Sequence, residues 1–516
     1  MLSVDHFLLC GEAFSPSRQA FEAIIEELSG PGAGTLAHAE VEDQLMKQGR
    51  ELLRLLFQGH LDLRAGTETR LEQVVDARGI DHRAVESGHR RQLTTVFGRV
   101  EVERLAYRAA GACNLSPADM ALNLPAEMHS HSLRRLAAIE AVRGSFDDAH
   151  AAVTRACGPV AGKRQIEQLT VRAAVDIDAF YAAAVPEPCT DTTLLVLSSD
   201  GKGIVMRPEG LRASTRKAAA AKGGNIYTTR VASGEKTGRK RMATLGTVYD
   251  ADPVPRRPHD VITLAPATAD AGSKVPAESP AGRRRKGPVA GAKWLTGSVA
   301  DSGGQVIASV FDQATQRDPT HRRTWVMLVD GARHQLDLIG AEAIRRGVTL
   351  HVIIDFIHVL EYLWRSGWCF HATGDPAIEG WVAAHALRIL QGRSAEVATA
   401  LAQQADLAGL TPDQRKGVDT CIGYLTAKRE FLGYDTALAK GWPIATGVIE
   451  GACRHLIKDR LDITGARWSL QGAEAVLKLR AVHSNGDFDA YFAWHLQRER
   501  ERVHQTRYQA NLALTA

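Results

Sequence analysis

The 516-residue chain contains no apolar run approaching the length of a bilayer span, so a transmembrane helix is not expected. Its seven cysteines, at positions 10, 113, 157, 189, 369, 421 and 453, form no Cys-x-x-Cys pair. That spacing suggests neither a zinc ribbon nor a disulfide framework and fits a reducing, cytoplasmic compartment. The first ten residues carry an acid and no basic region, so a secretory leader is not expected. What remains is ordinary globular material: 45% hydrophobic and 24% charged residues, in a chain long enough for about three or four domains.

The net charge of +4 says little until it is divided along the chain. Residues 201–300 hold 19 Lys or Arg against 7 Asp or Glu, a local excess of +12 that leaves −8 for the rest. Such asymmetry is the footprint of contact with a polyanion, and it is also what a solvated basic loop looks like. The candidate phosphate contacts are Arg239, Lys240 and Arg241, and the run Arg283-Arg284-Arg285-Lys286.

Hydrophobic period orders the chain into regions. Residues 1–88 read mainly as helix, with Gly30-Pro31-Gly32-Ala33-Gly34 as a linker. Residues 89–188 begin with two alternating strands, 93–97 and 100–107, joined by a turn at Gly98-Arg99. They continue with helices over 133–142, from Ser145 as N-cap, and from Lys163 after a break at Gly158-Pro159. Helix, break, helix with a basic second start is compatible with a helix-turn-helix DNA reader, and equally with a plain packing unit. Strands are expected at 194–199, 242–249, 306–311, 325–329 and 349–354, with a helix over 335–346 before the last. An exposed basic loop over 251–292 is expected within this region. Residues 356–440 read as helix, followed by a helix carrying Glu450. Strands first, then strand–helix–strand, then helices, predict an α/β fold: an RNase H-like mixed sheet over 189–358 and 441–500, a helical insertion over 359–440, and a tail from 501.

Chemistry concentrates at four places. Asp200 follows the apolar run Leu194–Ser199, and Asp330 follows Trp325–Val329. Each precedes a glycine, so each also reads as a turn or helix N-cap. Glu450 falls at the edge of the apolar arc Val448, Ile449, Ala452, Cys453, Leu456 and Ile457. It could reach the sheet margin or simply pair with Arg454. Asp355 and His358, spaced i and i+3 after a third apolar run, share one helix face. Their alternatives are a capping aspartate with a hydrogen-bonded histidine, or support for a metal carboxylate. Three carboxylates converging at strand ends can hold two divalent cations, which clamp the attacking and leaving oxygens of a phosphodiester.

The order Asp200, Asp330, Asp355-x-x-His358, Glu450 resembles bacterial insertion-sequence transposases of the DDE type, whose Mutator-like relatives carry an Asp- or Cys-x-x-His signature after the second aspartate. The phrases Leu197–Gly203, Val329–Gln335, Ile354–Tyr362 and Thr446–Arg454 resemble the ISKra group, and the similarity runs from about residue 40 to 500. The resemblance implies an RNase H-like core with a helical insertion before the Glu-bearing helix. It makes Asp200, Asp330 and Glu450 ligands to Mg²⁺, with Mn²⁺ as a substitute, and makes Asp355 and His358 the supporting pair. Asp355 also follows a strand and competes with Asp330 for the second ligand position. The implied activity is cleavage of element ends and their joining to target double-stranded DNA by a homodimer or larger assembly, without a membrane. An RNase H-like nuclease that cuts without joining, and a DNA-binding protein that does neither, are the alternatives. Arg460, Arg467, Trp468 and Lys478 are further candidate DNA contacts, with packing as the other reading of Trp468.

Overall fold

The computed structural model describes residues 11–185, 192–222, 239–262, 285–463 and 465–509. The chain forms two compact units, one built from the residues up to Tyr181 together with those from Gly486 onward, the other from Ala182–Asn485. Among the described residues no helix is long and apolar enough to cross a membrane.

In the first unit, helices Ser15–Ser29 and His38–Gly66 pack together. Gly59 permits the approach: a Cβ there would lie 2.6 Å from the Ala13 carbonyl and 2.9 Å from the Phe14 ring. Strands β1 (Ala84–Thr95) and β2 (Gly98–Arg108) form an antiparallel hairpin. It buries Leu93, Val100 and Val102 against Leu61 of the long helix. The turn is not at Gly98-Arg99 as the sequence suggests. Thr95 pairs with Gly98, so Val96 and Phe97 make the turn. The Thr95 hydroxyl accepts from the Phe97 amide at 3.2 Å and donates to the Gly98 carbonyl at 2.9 Å. Gly98 closes the turn at φ 131°, a value open to glycine. Helices His131–Arg143, Phe146–Cys157 and Lys163–Ala173 follow, sharing a core of Leu133, Ala137, Val153, Ile166 and Leu169. Ser145 caps the second of them, accepting from the Asp148 amide at 3.1 Å. Helix Phe488–Val503 completes this unit from the far end of the chain.

The second unit is a mixed α/β arrangement around a five-stranded sheet. Its strands are β3 (Leu194–Val205), β4 (Lys240–Ala251), β5 (Ala290–Ser298), β6 (Trp325–Val329) and β7 (Leu350–Ile354), in the order β5-β4-β3-β6-β7. The first three are antiparallel neighbours, whereas β6 and β7 run parallel to β3. Every residue of β6 is buried, as expected of a parallel strand covered on both faces. Two glycines mark those faces. A Cβ on Gly246 would overlap Val310 of helix Gly303–Arg317, whereas one on Gly297 would overlap Leu245 and reach Leu477 of helix Leu470–Asn485.

Two strand expectations change. Residues 306–311 belong to helix Gly303–Arg317, not to a strand. Ser302 accepts from the Gln305 amide at 3.3 Å, and Gln305 accepts from the Ser302 amide at 2.8 Å, a capping box that starts a helix. The buried set Val306, Ile307, Val310, Phe311 and Ala314 then recurs at helical spacing. The third strand is instead Ala290–Ser298, whose start overlaps the end of the expected loop. Also, β3 does not end at Asp200. It runs on to Val205, with Asp200 paired to Leu245 and Gly201 to Thr244, which removes the hairpin reading of Asp200-Gly201. After β7 come helices Phe356–Gly367, Ala377–Leu390, Ser394–Leu407, Lys416–Ala427 and Tyr434–Ala439.

Candidate metal-binding active site

Register brings three aspartates to one level. The last β3–β6 pair is Ser198 with Leu328, and the last β6–β7 pair is Val329 with Ile354. Carried one residue past the ends of β6 and β7, this register sets Asp330 and Asp355 level with Asp200 of β3. The parallel ladder extends to this level, since the Asp355 amide donates to the Val329 carbonyl at 2.8 Å. Directly opposed residues of neighbouring strands share a face. Asp200 opposes Leu245, and Leu245 opposes Gly297, so Asp200 is on the face covered by helix Leu470–Asn485.

The surroundings of each aspartate differ. Asp200 is half-buried; its Oδ1 accepts from the Gly201 amide at 2.6 Å and its Oδ2 from the Cys453 thiol at 3.0 Å. Gln335 braces the same strand, donating to the Ser199 carbonyl at 2.7 Å. Asp330 is also half-buried, and its carboxylate accepts only a long bond from the Ala332 amide, 3.3 Å, among the described residues. Gly331 follows it at φ 89°, and the Tyr424 hydroxyl donates to the Asp330 carbonyl at 3.3 Å. Asp355 is fully buried and fully engaged. It caps helix Phe356–Gly367, with Oδ1 accepting from the Ile357 amide at 2.8 Å, while Oδ2 accepts from both the amide (3.2 Å) and the hydroxyl of Thr446. Tyr434 donates to the Ile354 carbonyl at 2.9 Å and fixes the end of β7.

Glu450 is exposed on the short helix Gly447–Ala452, which passes into a π-helical turn over Cys453–Lys458. Ile449, Ala452, Cys453, Leu456 and Ile457 are buried, as the apolar arc implies, and Val448 is half-buried. Wide turns of this kind free backbone carbonyls and recur at functional sites. Here Arg480 donates to the carbonyls of His455 and Leu456. The Glu450 carboxyl is pushed up from its ordinary pKa, first by desolvation and then by the charge of Asp355. The Thr446 hydroxyl (3.3 Å from Oε1) and His358 act in the opposite sense. His358 is half-buried on helix Phe356–Gly367, with its Nδ1 3.6 Å from Glu361. The Cys453 thiol is likewise pushed up, by burial first and then by Asp200. In the sequence Cys453 stands only as part of the apolar arc, and Thr446 has no assigned role. Their signal is spacing: each is within one helical turn of Glu450.

A carboxyl raised by a neighbouring carboxylate, as Glu450 is by Asp355, suits a site for a hard divalent cation, which prefers oxygen ligands. Asp200, Asp330 and Glu450 could hold it, although their ligand atoms do not all lie within 4.8 Å of one another. Among the described residues only Asp176, His495 and Glu499, in the first unit, form a group that tight. That group is already neutralised. Arg134, 1% exposed, donates to His495 Nε2 at 3.0 Å and to Glu499 at 2.9 Å, and also to Glu127. Arg502 donates to both Asp176 oxygens at 2.9 and 3.0 Å, and to Glu499. His495 accepts at Nε2, so Nδ1 carries the proton it donates to Asp176 at 2.6 Å. Two guanidiniums thus occupy the positions a cation would need, and the group is a buried ion network.

The expected phosphate contacts divide. Arg241 is committed internally, donating to the carbonyls of Val299 (2.7 Å), Gly210 (3.2 Å) and Ala300 (3.0 Å). Lys240 lies 3.6 Å from Asp462. Arg239, Arg285 and Lys286 are exposed, with Arg285 donating once to the Pro255 carbonyl, whereas Arg283 and Arg284 lie outside the described residues. Farther on, Arg460 is buried with its guanidinium 4.7 Å from the Trp468 ring. Trp468 donates to the Leu461 carbonyl at 2.9 Å, and Lys478 lies 3.3 Å from Glu474. Arg467 is exposed. No protein-family model matches the chain, and a search of curated proteins finds no similar one.

Proposed function

We propose that the chain is a DNA transposase with an RNase H-like catalytic unit, cutting the ends of a mobile element and joining them to target DNA. The observation that carries this reading is the row made by Asp200 on β3 with Asp330 and Asp355 just past the ends of β6 and β7, the Glu450 segment being hydrogen-bonded to Asp355 through Thr446 and to Asp200 through Cys453. The element order supports the RNase H-like assignment: three antiparallel strands, then strand–helix–strand, then helices, with helices covering both faces.

Asp200, Asp330 and Glu450 hold Mg²⁺ or Mn²⁺ in this reading. The bound ions would supply a nucleophile at neutral pH and offset charge on the reacting phosphoryl oxygens. Asp330 takes the second ligand position, because both Asp355 oxygens are already engaged by donors of the protein. Asp355 and His358 are the supporting pair in this reading, Asp355 by accepting from Thr446 at the start of the Glu450 segment. Arg239, Arg285 and Lys286 contribute to a phosphate-binding surface whose affinity falls steeply with salt. Pairing of two DNA ends implies a dimer or larger assembly on DNA.

The test is a cleavage-and-joining assay on labelled DNA carrying the element's ends, with Mg²⁺ or Mn²⁺. Asp200→Ala, Asp330→Ala and Glu450→Ala abolish both products while leaving DNA binding intact. Cleavage that survives all three substitutions refutes the assignment. Cut products with no joined ones leave a nuclease. Loss in Asp355→Asn alongside an active Asp330→Ala moves the second ligand to Asp355.

A further inference from the structure

The Glu450 segment is held to the sheet at two points, one on each side of the glutamate. Thr446, 5% exposed, donates from its amide (3.2 Å) and its hydroxyl to Asp355 Oδ2, at the end of β7. Cys453, 6% exposed, donates from its thiol to Asp200 Oδ2 at 3.0 Å, on β3. These attachment points are seven residues apart, and in a helix residues i and i+7 share a face. At 1.5 Å per residue they are separated by about 10 Å. The strands they reach, β3 and β7, have β6 between them. Two interstrand steps also amount to about 10 Å. The segment therefore reaches from Asp355 after β7 to Asp200 on β3, and helix Gly447–Ala452, which carries Glu450 between the two attachment points, packs against β3 and β4.

We propose that Thr446 and Cys453 are positioning residues that clamp the Glu450 segment between Asp355 and Asp200 and so set the spacing of the three carboxylates. The proposal rests on the reading of Asp200, Asp330 and Glu450 as metal ligands. Both donors are buried, so their bonds face little competition from water. The π-helical turn begins at Cys453, and Arg480 holds it by two carbonyls, fixing the backbone at the β3 end of the clamp. Neither residue needs to touch DNA. Cys453 fixes an oxygen of the ligand Asp200 by donating to it, as the partners behind metal ligands do, whereas Thr446 fixes the start of the Glu450 segment through Asp355.

Mn²⁺ is the probe, titrated against the full-length protein without DNA, with the free ion read by electron paramagnetic resonance. Asp200→Asn defines the signal that belongs to this site, and wild-type binding must depend on it. Thr446→Val and Cys453→Ala each remove a donor and weaken that binding by about 10- to 100-fold. Thr446→Ser and Cys453→Ser restore a donor and bring affinity back to within about threefold of wild type, a rescue that loss of packing would not give. Circular dichroism confirms folding, and Cys453→Val replaces the alanine variant if that one melts. Wild-type affinity in Thr446→Val and Cys453→Ala, with Asp200→Asn still defective, overturns the clamp and leaves the metal site standing. Mn²⁺ binding that is absent, or indifferent to Asp200→Asn, overturns the metal-site reading and the clamp with it.

Discussion

Replacing Arg134 by Met tests what holds the first unit closed. The guanidinium is 1% exposed and donates to Glu127, Glu499 and His495 Nε2. Met fills much of the same volume, so the cavity contribution is small and the effect is chiefly electrostatic. Removing one partner from a buried ion network costs about 3–5 kcal/mol. Glu499 keeps Arg502, and Glu127 keeps Arg172, cations about half exposed, so the lower end of that range applies. About 3 kcal/mol corresponds to a little over 100-fold in an opening equilibrium. Hydrogen–deuterium exchange read by mass spectrometry isolates the effect by region. Peptides from 131–143 and 488–503 are expected to exchange about 100-fold faster, whereas those from 325–329 in the other unit keep their rate. Chelator added to the wild type leaves all of these rates unchanged, since Arg134 and Arg502 neutralise the group. An acceleration below about fivefold in Arg134→Met, roughly 1 kcal/mol, would refute the reasoning. So would a chelator that reproduces the acceleration in the wild type, because a bound metal would then be holding the group.

Other consequences are as specific. Gly246→Val pushes a side chain into Val310 of helix Gly303–Arg317 and should cost about 1–3 kcal/mol in thermal or urea unfolding; an unchanged midpoint would contradict that close approach. Ser302→Ala removes the cap of the same helix and should cost about 1 kcal/mol, with Ser302→Asp largely neutral. His131 donates from Nε2 to the Asn123 carbonyl at 3.0 Å and leaves Nδ1 buried without a partner among the described residues, and burial lowers its pKa from 6.5 to about 4. A lowered folded-state value means that the unfolded chain takes up the proton first as pH falls. Stability present above pH 6.5 is therefore lost between about 6.5 and 4. His131→Gln should shrink the pH 7-to-4.5 loss by roughly 2–3 kcal/mol; equal losses in variant and wild type would rule that out.

The sequence carries the strands that make the aspartate row more clearly than those that flank it. The runs before Asp200, Asp330 and Asp355 are apolar and short, and all three are strands, because buried sheet interiors admit little else. The edge strand Ala290–Ser298 is obscured by its alanines, glycines and lysine. Gly297 is there for clearance beneath Leu245 and Leu477, a tertiary demand with no local trace. Val306–Phe311 misleads in the opposite way: a six-residue apolar window fits either period, and the Ser302–Gln305 cap decides for helix. The candidate carboxylates can be picked out one by one, but their common level depends on strand register, which is set by pairing partners far apart in sequence. Cys453 reads as an apolar position, and Thr446 has no role, until the sheet supplies their acceptors. Nor does anything local in Phe488–Val503 announce that His495 will meet Arg134, 361 residues earlier.

That last contact orders events during synthesis. The first unit is interrupted by the whole of Ala182–Asn485, roughly 300 residues, which at ~5–20 residues per second take about 15–60 s to translate. Until Phe488–Val503 leaves the ribosome, Arg134 lacks His495 and Glu499, and the core that buries it stays open. The amino-terminal part of the unit is made first and closed last, so a nascent or prematurely ended chain carries its early helices without a finished unit around them.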